Sequence, residues 1–194
     1  MIERREDETA LERLADALDS LGIRYAVGGS MASAFYGTIR FTRDADISVE
    51  AFSPVADRFY ELLKDEFYVS REAMEEALRS HRSFNVVHFA TSFKIDLFVQ
   101  GPDEFERQLL TRSRRLRLSP TGQRDLSVVS PEDIVLLKLV WFRETGGTSD
   151  RQWSDVVGVL GVQGKSLDRE YLTTWAKKLG VQELLDRAMA EAAT

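Results

Sequence analysis

Between Asp44 and Val49 polar and apolar residues alternate without a break, Asp44, Asp46 and Ser48 against Ala45, Ile47 and Val49. A period of two fits a strand and fixes which face is buried. The apolar three must pack on a core while the acidic face looks outward, so the chain is expected to be built on a sheet with one working face. Upstream, Tyr25-Ala26-Val27 is a second short apolar strand that runs directly into Gly28-Gly29-Ser30. That turn opens a small, helix-compatible segment from Ser30 to Tyr36, closed by Gly37, and a polar loop from Thr38 to Arg43 leads to the acidic strand.

The remaining segments follow from the same rules. Thr9-Ala10-Leu11-Glu12 is a capping-box pattern, and Leu11, Leu14, Ala15, Leu18 and Leu21 recur at helical spacing, predicting a helix from about Ala10 to Leu21. Pro54 marks a helix start, with Val55, Phe59, Leu62 and Leu63 on its core face as far as about Lys64. A short strand is expected at Phe67 to Val69 and a short helix at Glu72 to Leu78. Phe84 to Phe89 and Ser92 to Val99 read as an antiparallel hairpin around Ala90-Thr91, a turn without glycine, and Asp96 lies inside its second strand. A helix follows from Asp103 to Leu110. Arg107 to Arg124 holds six arginines and no acidic residue, with Leu116 and Leu118 suggesting an extended edge.

After Ser130-Pro131-Glu132-Asp133, a strong helix start, the chain reads as helical. Ile134, Leu137, Lys138 and Trp141 share one face, and Gly146-Gly147-Thr148 ends that helix. Further helices are predicted at Asp150 to Leu160, Asp168 to Leu179 and Val181 to Ala192. The organisation is thus an α+β core over residues 1–125 and a C-terminal helical region over 126–194.

Composition narrows the chemistry. With 43% hydrophobic and 30% charged residues in 194, the chain has the balance of a globular protein. No apolar run approaches the ~18 residues needed to cross a bilayer, and the start, Met1-Ile2-Glu3-Arg4-Arg5-Glu6, has no apolar signal core, so a cytoplasmic protein without a membrane partner is expected. The absence of cysteine excludes disulfides and thiolate metal sites. Only His81 and His88 could supply nitrogen ligands, and neither has a partner at ligand spacing, so both read as structural. A metal would have to sit on oxygens, which favours magnesium over zinc. The net charge of −6 argues against a surface broadly dedicated to nucleic acid and leaves only the arginine stretch as a local patch.

Phosphoryl and nucleotidyl transfer depend on charge placement more than on covalent help. Asp44 and Asp46, one residue apart on a strand, point the same way, as a metal pair requires. Asp96, set among apolar residues where an unpaired carboxylate is costly, is the candidate third ligand, able also to orient or deprotonate an attacking hydroxyl. Gly28, Gly29 and Ser30 offer backbone N–H groups and a helix N-terminus to a triphosphate. Each signal has an ordinary reading: surface charge for the aspartates, a serine-capped turn for the glycines.

In this order and spacing, Gly29-Ser30, thirteen residues, Asp44-Ala45-Asp46 and the later Asp96 resemble the polymerase-beta-like nucleotidyltransferase superfamily. The resemblance covers the chain to about Val99. It implies a mixed sheet with flanking helices followed by a C-terminal helical bundle. It also implies a Gly-Ser turn that holds the nucleotide phosphates, and two divalent ions, Mg2+ or in its place Mn2+, on Asp44, Asp46 and Asp96. The tail, Ser130-Pro131-Glu132-Asp133-Ile134 with Lys138 and Arg143, then Arg151-Gln152-Trp153-Ser154-Asp155-Val156, is similar to bacterial stand-alone members related to the AbiEii toxins of type IV toxin–antitoxin systems.

In those relatives a helix lysine lies beside the nucleotide, a role that falls to Lys138; a lysine snorkelling from an apolar face is the alternative. Arg151 and Asp155 either line the same cleft or pair with each other on one helix, the latter being the safer reading. Arg40 and Arg43 are candidates to neutralise a triphosphate such as ATP or its pyrophosphate, against local charge balance with Asp44. The Arg107 to Arg124 stretch either guides a transfer RNA acceptor or forms a solvated edge. Trp141, Trp153 and Trp175 read as packing residues. The expected enzyme moves a nucleoside monophosphate from a triphosphate to an acceptor hydroxyl on RNA, protein or a small molecule, in a cell where a cognate antitoxin is a possible partner. The rivals are a catalytically silent member of the fold that binds nucleotide or a partner protein, and a nucleic-acid-binding module using the arginines.

Overall fold

The computed structural model describes residues 2–39, 42, 44–118 and 122–193, the side chains of 2–6 and 8 aside. Its elements in chain order are α1 (Ile2–Ser20), β1 (Tyr25–Val27), α2 (Gly29–Tyr36), β2 (Asp44–Val49), α3 (Ala56–Leu63), β3 (Phe67–Val69), α4 (Arg71–Ser80), β4 (Ser83–His88), β5 (Lys94–Val99), α5 (Glu104–Thr111), β6 (Arg114–Leu116), β7 (Leu126–Val128), α6 (Pro131–Glu144), α7 (Asp150–Gln163), α8 (Arg169–Lys178) and α9 (Gln182–Ala192). They form two compact units, one of Met1–Val27 with Thr42–Val128 and one of Gly28–Phe41 with Val129–Thr194. No helix among the described residues is long and apolar enough to cross a membrane.

The first unit is a seven-stranded mixed sheet in the order β3-β4-β5-β2-β1-β7-β6. β2 and β5 run parallel at its centre, with Asp44 opposite Lys94, Asp46 opposite Asp96 and Ser48 opposite Phe98. β4 and β5 form the expected antiparallel hairpin, placing Asn85 opposite Asp96. Its turn dispenses with glycine because Ser92 itself adopts φ 58°. The alternation of β2 holds: Ala45, Ile47 and Val49 are fully buried, joined on that face by Ile95, Leu97, Phe84 and Val86. Phe52, Phe59 and Phe84 meet at tilted and edge-on angles with centroids 4.9 to 6.4 Å apart, in the geometry that favours aromatic pairs. Leu11, Leu14 and Leu18 give α1 its buried stripe.

Three boundaries differ from the sequence reading. α1 begins at Ile2 rather than near Ala10, so Thr9 and Glu12 lie inside the helix rather than at its start; the charged residues before them continue the helix instead. β7 stands where the C-terminal helical region was expected to begin, and its three residues are too few to show a period. α7 runs on through Gly161 to Gln163 and stops only at Gly164, whose φ is 46°.

The second unit is helical. Ser130 caps α6 by accepting a hydrogen bond from the Asp133 amide at 3.1 Å, and its hydroxyl donates to the Asp133 carboxylate at 2.7 Å. The Tyr171 hydroxyl donates to the other Asp133 oxygen at 2.6 Å, while Glu132 accepts from the Asp168 amide at 2.9 Å. The acidic pair of the Ser-Pro-Glu-Asp start is therefore a buried knot tying α6 to the beginning of α8. α2 packs on α7 through glycine: a Cβ on Gly37 would stand 2.8 Å from the Val159 nitrogen and 2.9 Å from the Gly158 carbonyl carbon. Ile134, Leu136, Leu139, Val156, Leu172 and Leu185 fill the centre of this unit.

Candidate active site

In the first unit the parallel register of β2 and β5 does what the sequence pattern required of it. Side chains opposite one another on neighbouring strands share a face, so Asp44, Asp46 and Asp96 stand on the same side of the sheet, opposite the core. Asp44 and Asp46 are half-buried, and the Asp96 side chain is 22% exposed, so each is accessible yet partly desolvated. The Thr42 hydroxyl, just before the strand, is 2.6 Å from Asp44 Oδ1 and donates to it.

Two further residues join this face. Lys94 lies opposite Asp44, and its ammonium is 2.6 Å from Asp96 Oδ2. The hydrogen bond to Asp96 raises the Lys94 pKa; burial opposes it, and the charges of Asp96, Asp44 and Asp46 add to it. All three carboxylates thus act on one cation. Asn85 stands opposite Asp96 on β4, so an amide extends the row Asp46–Asp96 across a third strand. Neither was anticipated. Lys94 was legible two residues before Asp96 in the same alternation, whereas Asn85 needed the hairpin register.

The donors are all oxygen, which suits a hard divalent ion. Lys94, paired with Asp96, is a cation already held at this face. As placed, no group of three or more acidic or histidine side chains among the described residues closes around a single point, and Lys94 occupies one oxygen of Asp96.

The Gly-Gly-Ser turn belongs to the second unit. Gly28 precedes α2 as its N-cap without a side-chain cap, and Gly29 has φ 53°, in the left-handed region that only glycine enters at little cost. The Ser33 hydroxyl folds back onto the Gly29 carbonyl at 3.1 Å. Ser30 Oγ accepts a hydrogen bond from Arg151 Nη2 at 3.1 Å, so α7 delivers a guanidinium to the start of α2.

Asp155 does not pair with Arg151. It pairs with Lys138 at 2.8 Å, and the two side chains are only 6% and 3% exposed. Packing of α6 on α7 brings these two together, which the i, i+4 spacing on one helix could not show. The expected place of Lys138 on an otherwise apolar helix face is correct, but its ammonium is buried. Arg40 and Arg43, the other expected phosphate partners, lie outside the described residues.

The arginine stretch is largely engaged within the first unit. Arg115 reaches Asp19, Arg117 reaches Asp125 at 3.1 Å, and Arg124 bonds both Asp16 and Asp19. His81 contacts the Gln100 carbonyl at 2.6 Å and His88 the Thr91 hydroxyl at 3.1 Å, in keeping with structural roles. Trp153 lies between Phe142 and Arg187, and Trp175 is 8% exposed against Tyr171, as packing residues should be.

No protein-family profile and no curated protein matches the chain. Solved structures do. The crystal structure of an antigenic nucleotidyltransferase-like protein from Paracoccidioides brasiliensis superposes with a TM-score of 0.55 at 18% identity, over 96% of this chain and 93% of that one. The fold is the nucleotidyltransferase fold. The solution structure of the antibiotic-resistance factor ANT(2'')-Ia matches with a TM-score of 0.56 at 9% identity, over 93% of this chain and 96% of that one. In this fold the chain has Asp44 and Asp46 on β2, Asp96 on β5 and the expected helical region at its C-terminus.

Proposed function

We propose that the protein is a metal-dependent nucleotidyltransferase that moves a nucleoside monophosphate from a nucleoside triphosphate to an acceptor hydroxyl and releases pyrophosphate. The observation that carries this reading is the in-register row of Asp44, Asp46 and Asp96 on one face of the parallel β2–β5 pair. Three carboxylates brought to one face of neighbouring strands are a donor set suited to binding positive charge.

Asp44 and Asp46 would hold both divalent ions, Mg2+ or Mn2+, and Asp96 one of them; when bound, the ions supply Lewis-acid stabilisation of the charge that builds on the transferring phosphorus. The residues of the chain do the rest. Asp96 receives or orients the acceptor proton as the hydroxyl oxygen bonds to the α-phosphorus and the bond to the leaving pyrophosphate breaks. Thr42 keeps one Asp44 oxygen oriented. From their order in the sequence, Gly28, Gly29 and Ser30 are assigned to the β and γ phosphates, and Arg43 to the charge of the leaving group. Arg151, bonded to Ser30, would add a guanidinium to that turn.

Lys138 is assigned a positioning role: through Asp155 it fixes α6 against α7 and so the helix that carries Arg151. The tail motif is what supports placing the enzyme beside the AbiEii-related group, and whether a cognate antitoxin accompanies it is read from the neighbouring reading frame. The acceptor is left to experiment among RNA, protein and small molecule, and the engaged arginines favour one that does not depend on Arg115, Arg117 or Arg124. Incubation of candidate acceptors with each triphosphate and Mg2+, read by mass spectrometry, tests the proposal. A mass increment of one nucleoside monophosphate supports it. Nucleotide binding by calorimetry with no pyrophosphate released over a broad acceptor panel would replace it with a silent, nucleotide-binding member of the fold.

A further inference from the structure

The acid face of the first unit contains its own cation. Lys94 Nζ lies 2.6 Å from Asp96 Oδ2, and Lys94 stands opposite Asp44 in the register of β2 and β5. Asp96 is the more enclosed of the pair, with its side chain 22% exposed against 46% for Lys94. Both stand on β5, and the long, more exposed lysine side chain can swing into solvent without disturbing the core, whereas the short Asp96 side chain stays at the face.

We propose that Lys94 is the resident counter-ion of this face, holding Asp96 in the metal-free protein and yielding it when a divalent ion binds, so that its charge weakens metal affinity. This inference rests on the metal-dependent reading above. Two physical effects act together. The ion must break the Lys94–Asp96 pair to use both oxygens of Asp96, and the displaced ammonium, tethered nearby, still repels the incoming charge. The compensation is stability without metal: three carboxylates on one face repel one another, and the lysine offsets that repulsion until an ion takes over. Lys94 is thus a positioning residue for Asp96 and a determinant of how tightly the site holds its ion.

The test is Mn2+ binding to the 194-residue chain, followed by electron paramagnetic resonance and calorimetry at low ionic strength, for the natural chain, Lys94→Met and Lys94→Arg. Lys94→Met is expected to bind Mn2+ about fivefold more tightly, the scale of one half-exposed ion pair. It should also melt at a lower temperature than the natural chain without metal and gain more from added Mn2+. Lys94→Arg, which keeps the charge, should bind as the natural chain does. The advantage of Lys94→Met should shrink as salt is raised. Equal or weaker Mn2+ binding by Lys94→Met, while the natural chain binds the ion, overturns the role of Lys94 alone. Absence of Mn2+ binding in both overturns this inference together with the metal-dependent reading on which it rests.

Discussion

Removing the Asp155 carboxylate should be among the most damaging single changes in the helical unit. Lys138 and Asp155 meet at 2.8 Å with side chains 3% and 6% exposed, so neither charge is solvated by bulk water. Asp155→Ala leaves a buried ammonium without its carboxylate, with the Trp141 ring 5.8 Å away as weak compensation. Breaking a buried pair from one side costs about 3–5 kcal/mol. With a urea dependence of about 2 kcal/mol per molar for a protein of this size, the unfolding midpoint should fall by roughly 2 M. The double variant Lys138→Met with Asp155→Leu removes both charges and keeps the volume, so it should recover to within about 1 kcal/mol of the natural protein. Its nucleotide affinity, measured by calorimetry, reads the positioning role: it should persist within about threefold if α6 and α7 remain packed. A loss below about 1 kcal/mol in Asp155→Ala, or a double variant no better than the single one, would refute the buried-pair argument.

Other expectations follow from single contacts. Gly37→Ala places a Cβ 2.8 Å from the Val159 nitrogen, against backbone that cannot yield, and should cost about 1–3 kcal/mol in urea unfolding; a neutral effect would mean that α2 and α7 do not approach so closely. Arg13 hydrogen-bonds Glu66 and holds its carboxyl below the ordinary range, with burial opposing and the Arg13 charge adding to the effect. That contribution is present above the unfolded value near 4.5 and is lost as the pH falls through the lower folded value. The Glu66 side chain is 41% exposed, so Glu66→Gln should cost below about 1 kcal/mol at pH 7 and nothing measurable near pH 2, as thermal melts across pH would show.

What the sequence displayed was whatever repeats locally. The alternation of β2, the Ser-Pro start of α6 and the glycine before α2 are set by neighbouring residues, and the structure places them as read, whereas Pro54 opens a short 3-10 turn just ahead of α3 and Leu62, expected on the core face of that helix, is 52% exposed. Asp44 and Asp46 were visible as a pair for the same reason. Asp96 was visible because a carboxylate in an apolar strand is costly unless the fold uses it, but its place opposite Asp46 depends on register, which no local rule supplies.

Beyond the element boundaries, the misses share one cause, contact between residues distant in sequence. Lys138 meets Asp155 because α6 packs on α7. Gly28–Phe41 groups with the C-terminal helices because Gly37 and Gly158 let backbone approach backbone, and a glycine in sequence does not announce which segment it will face. The arginine stretch looked unbalanced because Asp16 and Asp19, the acids of Arg115 and Arg124, lie about a hundred residues earlier on α1, while Asp125, the acid of Arg117, stands just past its end.

The central claim is that the acid face of β2 and β5 performs nucleotidyl transfer, and Asp46→Asn tests it most directly. Asp46 stands in the middle of that face, opposite Asp96, and the isosteric amide removes its charge with little change of shape. In a divalent-dependent assay of pyrophosphate release with the acceptor identified by mass spectrometry, the variant should melt within a few degrees of the natural protein and lose at least about a thousandfold in rate. Undiminished transfer by a folded Asp46→Asn protein would contradict the account.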